Sequence, residues 1–322
     1  MKTYKITLIC DSRISMIPDA QKVFGALCSI FINIYGEDAF RQYIDSFENE
    51  PMLIHSSMFP KSLFPMVKQN IFNIDFINSV ILKENLERQL QSLSNLKSYK
   101  QINYLSETIF KDYIISGNFN GLTKKLINCP ENFKIIDEIL MYNDENLSFK
   151  SSLNLSTRVQ TDLLDIDNGE KRDLFYDSDT FFDEGQKFNL FVKSSQSKQF
   201  IESIFKNINF FPVGSRGSTG KNLYKFDGIE EVGFCTEGDE FCLLSKCLPK
   251  EGEFDFIHSH YSVTSANYHT SKNFGNHLLG RISKISEGSL MKVKKRQEFY
   301  GQIYKNDVKG KKIYHYGIGF VF

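Results

Sequence analysis

The chain has 322 residues, 41% of them hydrophobic, enough for one large domain or two ordinary ones. Its 39 Lys and Arg balance 39 Asp and Glu, so no net positive field draws it onto nucleic acid. No run reaches the ~18 apolar residues of a membrane span. The opening MKTYKITLIC lacks the apolar length and cleavage site of a signal peptide, so a cytoplasmic protein is expected.

Residues 3–10, TYKITLIC, alternate and are rich in Thr, Ile and Tyr, which predicts a strand. The loop DSRISMIPD follows, then a helix with Val23, Leu27, Phe31 and Ile34 at helical spacing, Asp19 as its N-cap and Gly36 as its stop. From about 45 to 150 the chain is rich in Asn, Leu, Ile and Lys, with helical stretches such as NSVILKENLERQLQSL and SETIFKDYIIS, and reads as a helical insertion. SSLNLSTRVQ and QKFNLFVKSS are expected as two strands flanking an acidic arm. SKQFIESIFKNI places Phe200, Ile201, Ile204, Phe205 and Ile208 on one helical face, and LYKFDGIEEV reads as another strand. Without the insertion, the order to residue 233 is β-α-β-β-α-β, the ferredoxin-like plan, which by itself assigns no function. The remainder from Phe234 is strand-like and reads as a smaller β-rich domain, 234–322.

Between that last helix and strand lies the chemically densest stretch, Gly214-Ser215-Arg216-Gly217-Ser218-Thr219-Gly220-Lys221. It is not a Walker A loop. The glycine spacing is one residue too long, Asn222 stands where Ser or Thr is needed, and the loop runs from helix to strand rather than strand to helix. Successive N–H groups in glycine turns make an anion nest, and Arg216 and Lys221 add charge. The same composition also makes a plain connecting turn, so both readings stand on residues alone.

Charge is unevenly spread. Nine acidic residues face two basic ones between Asp162 and Glu184, whereas ten basic residues face three acidic ones between Arg281 and Lys312. The basic stretch interleaves Lys and Arg with Phe and Tyr, a composition suited both to single-stranded RNA and to a charged outer strand face. The six cysteines are scattered through a chain too large to need disulfides, and Cys10 and Cys28 read as core residues. His258, His260, His269 and His277, with Cys235, Cys242 and Cys247, lack the compact spacing of a zinc site.

Together these pieces resemble a family. A strand, a loop bearing Ser12-Arg13, the helix PDAQKVFGALCSIF and a glycine-rich loop before the last strand look like the CRISPR repeat-associated RNA-binding (RAMP) proteins. STRVQTD and GEKRDLFY resemble the segments around their β-hairpin thumb. FCLLSKCLP, EGSLM, HYGIGFVF, MFPKSLFP and YKQINYLSETIF are similar to one branch of that family, the fourth Csm subunits of type III-A interference complexes, in the Cas5-like group.

The resemblance implies an α+β chain of tandem ferredoxin-like (RRM-like) form. Residues 1–233 would be the RAMP domain, with the insertion at about 45–150, the thumb at about 158–184 and the glycine-rich loop at 214–221. It implies a non-catalytic subunit that grips the crRNA 5′ handle and bridges the large polymerase-like (Cas10-type) subunit to the backbone RAMP subunit. No cofactor, metal, membrane or small-molecule substrate is implied. Arg13, Arg158 and the loop Gly214, Ser215, Arg216, Gly217, Ser218, Thr219, Gly220 and Lys221 are the implied handle contacts, with Gln21 and Lys22 as further candidates.

Two departures matter. The loop RGSTGKN is shifted by one residue against the family pattern, with Asn222 in place of the last glycine, which leaves open whether Arg216 or Lys221 faces RNA. The acidic arm repels phosphate, so its tip is expected to face solvent or a basic partner and only its root, near Arg158 and Arg172, to face RNA. The enzyme-class alternative is a RAMP-type ribonuclease that processes precursor crRNA or cuts target RNA, for which His258, His260, Tyr261 and Tyr268 are the available acid–base groups.

Overall fold

Strand β1 (Lys2–Cys10) alternates as its sequence requires, burying Tyr4, Ile6 and Leu8 on one face. The computed structural model describes residues 1–68, 97–159, 174–214, 217–233, 238–269, 278–308 and 310–322. Asp19 caps helix α1 (Ala20–Ile30), its carboxylate accepting the Lys22 N–H. Val23, Phe24, Leu27 and Ile30 join the β1 residues in one core. The last helical turn widens into a π-type coil (Phe31–Tyr35), so Ile34 ends exposed rather than packed, and Gly36 closes the element at φ +88°. Helix α2 (Glu37–Ser46) follows.

The segment expected to be a helical insertion is mixed instead. It holds β2 (Leu53–His55), β3 (Phe59–Pro60), β4 (Leu63–Pro65) and β5 (Tyr104–Ser106). Helix α3 (Glu107–Ile109) then runs into a π-helix (Phe110–Ile115), so that SETIFKDYIIS is helical as expected. Helix α4 (Phe119–Asn128), β6 (Phe133–Ile136) and β7 (Ile139–Tyr142) complete it. Strands β4, β5, β7 and β6 form a four-stranded sheet in that order, while NSVILKENLERQLQSL lies outside the described residues. Strands of two to four residues, several buried throughout, show no alternation, which is why their period was invisible.

Strands β8 (Ser151–Val159) and β9 (Leu174–Phe182) pair with each other as a separate two-stranded ribbon, Ser151 opposite Phe182 and Val159 opposite Leu174. SSLNLSTRVQ therefore does not pair with QKFNLFVKSS, as expected, but with the acidic stretch itself. Strand β10 (Lys187–Ser194) is the central strand, buried on both faces. Helix α5 (Lys198–Lys206), capped by Ser197, lays Ile201, Ile204 and Phe205 on the core, with Ile208 just beyond and Phe200 half-buried. With β11 (Tyr224–Glu231), the main sheet runs β11-β1-β10-β2, and β3 also pairs with β10; every pairing is antiparallel. The place beside β10 where SSLNLSTRVQ was expected is taken by β2 and β3. Strand β8 lies apart from this sheet, with its Leu153 and Leu155 exposed.

The C-terminal part holds β12 (Glu240–Cys242), β13 (Phe254–His260), β14 (Val263–His269), β15 (Leu278–Ile285) and β16 (Leu290–Val293). It ends with β17 (Tyr300–Gly301), β18 (Tyr304–Val308), β19 (Lys311–His315) and β20 (Ile318–Gly319). Strands β12-β16-β13 form a three-stranded sheet, with β14–β15 and β18–β19 as two-stranded ribbons. Phe241, Leu243, Phe254, Met291 and Tyr300 form a small core of their own. Tyr316, Ile318, Phe320 and Phe322 instead join the core of β1, β10 and α1.

Tyr316 anchors this return. Its ring stacks on His55 at 4.3 Å, its hydroxyl donates to the His55 carbonyl at 3.1 Å, and it accepts the His55 N–H at 2.9 Å. Tyr316→Phe keeps the ring but leaves a buried N–H and C=O on β2 without that partner. We expect a loss of about 1–3 kcal/mol in denaturant unfolding with an unchanged slope; no shift in midpoint would show that the anchor is the ring alone.

Candidate nucleic-acid interface

Three segments distant in sequence meet beside the end of β1: the loop 11–15, the turn between α5 and β11, and the root of the β8–β9 ribbon. Ile14 and Thr180 exchange both backbone hydrogen bonds, at 3.0 and 2.8 Å. Asn222 donates its N–H to the Arg13 carbonyl at 3.0 Å, Asp11 donates to the Leu223 carbonyl at 3.0 Å, and the Leu223 N–H reaches the Ser12 hydroxyl at 2.9 Å.

The glycine turn is closed at its neck by Val213 N–H on the Asn222 carbonyl, 2.9 Å. Within it, Gly217–Thr219 makes a 3₁₀ turn sealed by Gly220 N–H on the Gly217 carbonyl at 2.9 Å. Gly220 (φ +72°) and Asn222 (φ +60°) both sit in the left-handed region. Asn is among the few non-glycine residues that visit this region routinely, so Asn222 serves where the family pattern has glycine. Its side chain also accepts the Ser15 N–H at 3.2 Å, a bond glycine could not make. At the other end of the turn Gly214 lies against helix α1, where a Cβ would stand 3.3 Å from the Lys22 side chain.

Lys221 does not face solvent. Its side chain is 0% exposed, with its ammonium 2.7 Å from an Asp177 oxygen and also paired with Asp179. Arg13, 34% exposed, approaches the other Asp179 oxygen at 3.7 Å and the Thr219 carbonyl at 3.5 Å. This corrects one expectation. Lys221 is not an outward-facing phosphate donor, because a buried ammonium needs its carboxylates. In the acidic arm, Asp177 and Asp179 turn inward and hold cations. A signal for this was present in YDSDT, where acids two apart share one face of a strand.

The remaining expected residues fall in several places. Thr219 is exposed beside Arg13, and Gly217 is half-buried. Ser218 belongs to the 3₁₀ turn. Arg158 lies on β8 opposite Phe175, five residue pairs along the ribbon from the Leu153–Thr180 pair that meets Ile14, so it stands toward the far end of the ribbon and not at its root as expected; Arg172, Ser215 and Arg216 lie outside the described residues.

Gln21 is committed elsewhere: its carbonyl oxygen accepts from the Tyr316 N–H at 2.7 Å and from the Lys284 ammonium at 3.2 Å. Lys22 is half-buried. Burial holds its pKa below the usual value, Asp19 opposes this, and Lys246 adds to it. Burial works against the Asp19 charge, but Lys246 at 2.7 Å and then Lys22 outweigh it and keep that carboxyl below its usual range. A cleft of about 440 Å³ opens between the first loop and the ribbon, lined by Asp11, Ser12, Arg13, Phe181, Glu184 and Lys225 among others.

Outside this region, Cys242 and Cys247 are buried, and His258 pairs with Asp255 at 2.6 Å on exposed β13. Among the described residues no group of three His, Cys, Asp or Glu is placed to hold a metal, and no helix is long and apolar enough to cross a membrane.

No family model matches the chain, and no curated protein matches it. Solved structures do. The Csm4 chain of a Csm3–Csm4 subcomplex from the type III-A CRISPR–Cas interference complex superposes with a TM-score of 0.62 at 15% identity, covering 100% of this chain and 98% of that one. The chain has the Csm4 fold. Csm4 in a Csm1–Csm4 cassette with pppApA gives 0.55 at 15% identity, and in the cassette with AMPPNP 0.54 at 16%, each covering 100% of this chain and 97% of that chain. At these identities the likeness to Csm4 is one of fold.

Two predictions follow from the charges. Lys221→Met leaves two inward carboxylates short of a cation and is expected to cost about 3–5 kcal/mol in unfolding experiments, whereas Lys206→Met, at an exposed i,i+4 pair with Glu202, should cost less than about 1 kcal/mol. Equal effects would mean that Lys221 is not held as described.

Lys284, buried and bonded to Gln21 and Tyr316, has its pKa pulled by burial from 10.5 to about 8. Between those values the unfolded chain binds more protons than the native one, so this group's contribution to stability rises with pH. The stability of wild type relative to Lys284→Met should therefore climb from pH 8 to 10.5, and a flat difference would contradict the assignment.

Proposed function

We propose that this chain is the non-catalytic crRNA-binding subunit of a type III-A (Csm) effector complex. In this role it grips the crRNA 5′ handle and joins the large polymerase-like subunit to the backbone RAMP subunit in the cytoplasm. The observation that carries the reading is the meeting of loop 11–15, the start of α1 and the glycine turn beside one sheet end, within a chain that has the Csm4 fold over its whole length. The partners follow from those named for the similar structures, a Csm1–Csm4 cassette and a Csm3–Csm4 subcomplex.

In this reading the β11-β1-β10-β2 sheet with α1 and α5 is a ferredoxin-like unit spanning residues 1–233, and residues 234–322 form the second, smaller unit of the tandem. The β8–β9 ribbon is the thumb. A sugar–phosphate chain wants donors rather than a shaped pocket. Arg13 offers a partly exposed guanidinium. Thr219 is exposed beside it, Gly214, Gly217 and Ser218 place their backbone N–H groups in the turn, and Gly220, whose own N–H is spent on the Gly217 carbonyl, shapes that turn. Arg216, Ser215, Arg158 and Arg172 are further contacts in this proposal, with Lys22 beside the turn, and Lys221 and Gln21 hold the site together from within.

The test is recovery of RNA with the affinity-purified complex. Replacing Arg13 and Arg216 together by Ala is expected to lower co-purifying crRNA by about tenfold or more while the subunits remain assembled. Full retention of RNA would move the grip away from this loop.

A further inference from the structure

The glycine turn is closed by two backbone bonds of its own, Val213 to Asn222 and Gly220 to Gly217, and Asn222 and Leu223 bond to the loop after β1. Gly214, Gly217 and Gly220 carry no side chains, and an unrestrained turn of this composition samples many conformations. To these bonds the turn's C-terminal half adds one long side chain that runs inward to the ribbon. The Lys221 ammonium sits 2.7 Å from Asp177 and against Asp179, and the side chains of all three residues are nearly inaccessible, at 0%, 5% and 3%. Both carboxylates belong to β9, more than 40 residues upstream. They sit beside Thr180, whose backbone bridges Ile14. Arg13, the neighbour of Ile14, touches the turn at the Thr219 carbonyl and the ribbon at Asp179.

We propose that the root of the β8–β9 ribbon is a latch on the glycine turn. Asp177 and Asp179 hold Lys221, and through it residues 217–223, in the one shape that presents the turn's N–H and hydroxyl donors together. Lys221 is accordingly a positioning residue and Arg13 is shared, one side of its guanidinium toward the latch and the remainder toward solvent. Seating of the ribbon and gripping of RNA are then a single equilibrium: a ribbon lifted from its seat releases the turn, and RNA held in the turn keeps the ribbon seated. This coupling rests on the proposed RNA-binding role of the turn, whereas the latch itself does not.

The sign of one substitution separates this from simple electrostatics. Asp177→Asn removes a negative charge beside a phosphate-binding turn, so by charge alone it should tighten RNA binding. If Asp177 is half of a latch, the same change loosens the turn and weakens binding.

The experiment uses the full chain, with amide hydrogen exchange followed by mass spectrometry and binding of a fluorescent single-stranded RNA at low salt, where the electrostatic contribution is largest. Asp177→Asn should speed exchange across 217–223 while β1 and β10 keep wild-type protection, and should weaken RNA binding by about tenfold. Lys221→Met should do the same, and the double variant should lose no more than either single one. Lys221→Arg, which keeps the charge, should restore much of both. Should Asp177→Asn not fold, Asp179→Asn takes its place.

Unchanged exchange in the turn overturns the latch. Faster exchange with tighter RNA binding overturns the coupling. Faster exchange in the variant when wild type binds no RNA, alone or in its complex, overturns the RNA-binding role and leaves the latch standing.

Discussion

An ammonium withdrawn from water needs carboxylates within reach, and carboxylates withdrawn from water need cations in return. That requirement, met by Lys221 between Asp177 and Asp179, ties together the parts of this protein that matter most for its proposed role. It brings the glycine turn to the ribbon root, sets the ribbon against the loop after β1, and leaves Arg13 half-exposed at the seam. To the backbone bonds that close this loop of small residues, the inward side chain adds a tie to the ribbon.

A second junction does comparable work for the C-terminal part. Gln21, one residue into α1, receives both Lys284 from β15 and the backbone of Tyr316, while Tyr316 closes on His55 of β2. Lys246 reaches the same helix start through Asp19. The first turn of α1 is therefore a meeting point for the two portions of the chain, and it adjoins the glycine turn through Lys22 and Gly214.

Much of this was legible in the residues, and the parts that were not have physical reasons. The elements with a clear period came through: alternating β1, the apolar stripe of α5, and the Asp19 cap of α1. The strands of the segment 45–150 did not, because runs such as Leu53–His55 are too short and too fully buried to show a period. The ribbon was misassigned because SSLNLSTRVQ has the alternation of a half-buried strand, yet its leucines are exposed. For the proposed site, residue type and order single out Arg13 and the glycine turn, and the structure brings loop 11–15 against that turn. The role of Lys221 was not legible, since the partners that bury it lie more than 40 residues away and only the fold brings them together. Asn222 looked like a departure from the family pattern and proves to be a compatible choice once its φ of +60° is known.

The measurement that bears most directly on this account is photo-crosslinking of RNA to the chain in complex purified from its native host, with crosslinked peptides identified by mass spectrometry. The account places crosslinks in loop 11–15, at the start of α1 and in the turn 214–220, with none at buried Lys221. Crosslinks confined to the basic β18–β19 ribbon, with the loop and turn clean, would contradict it.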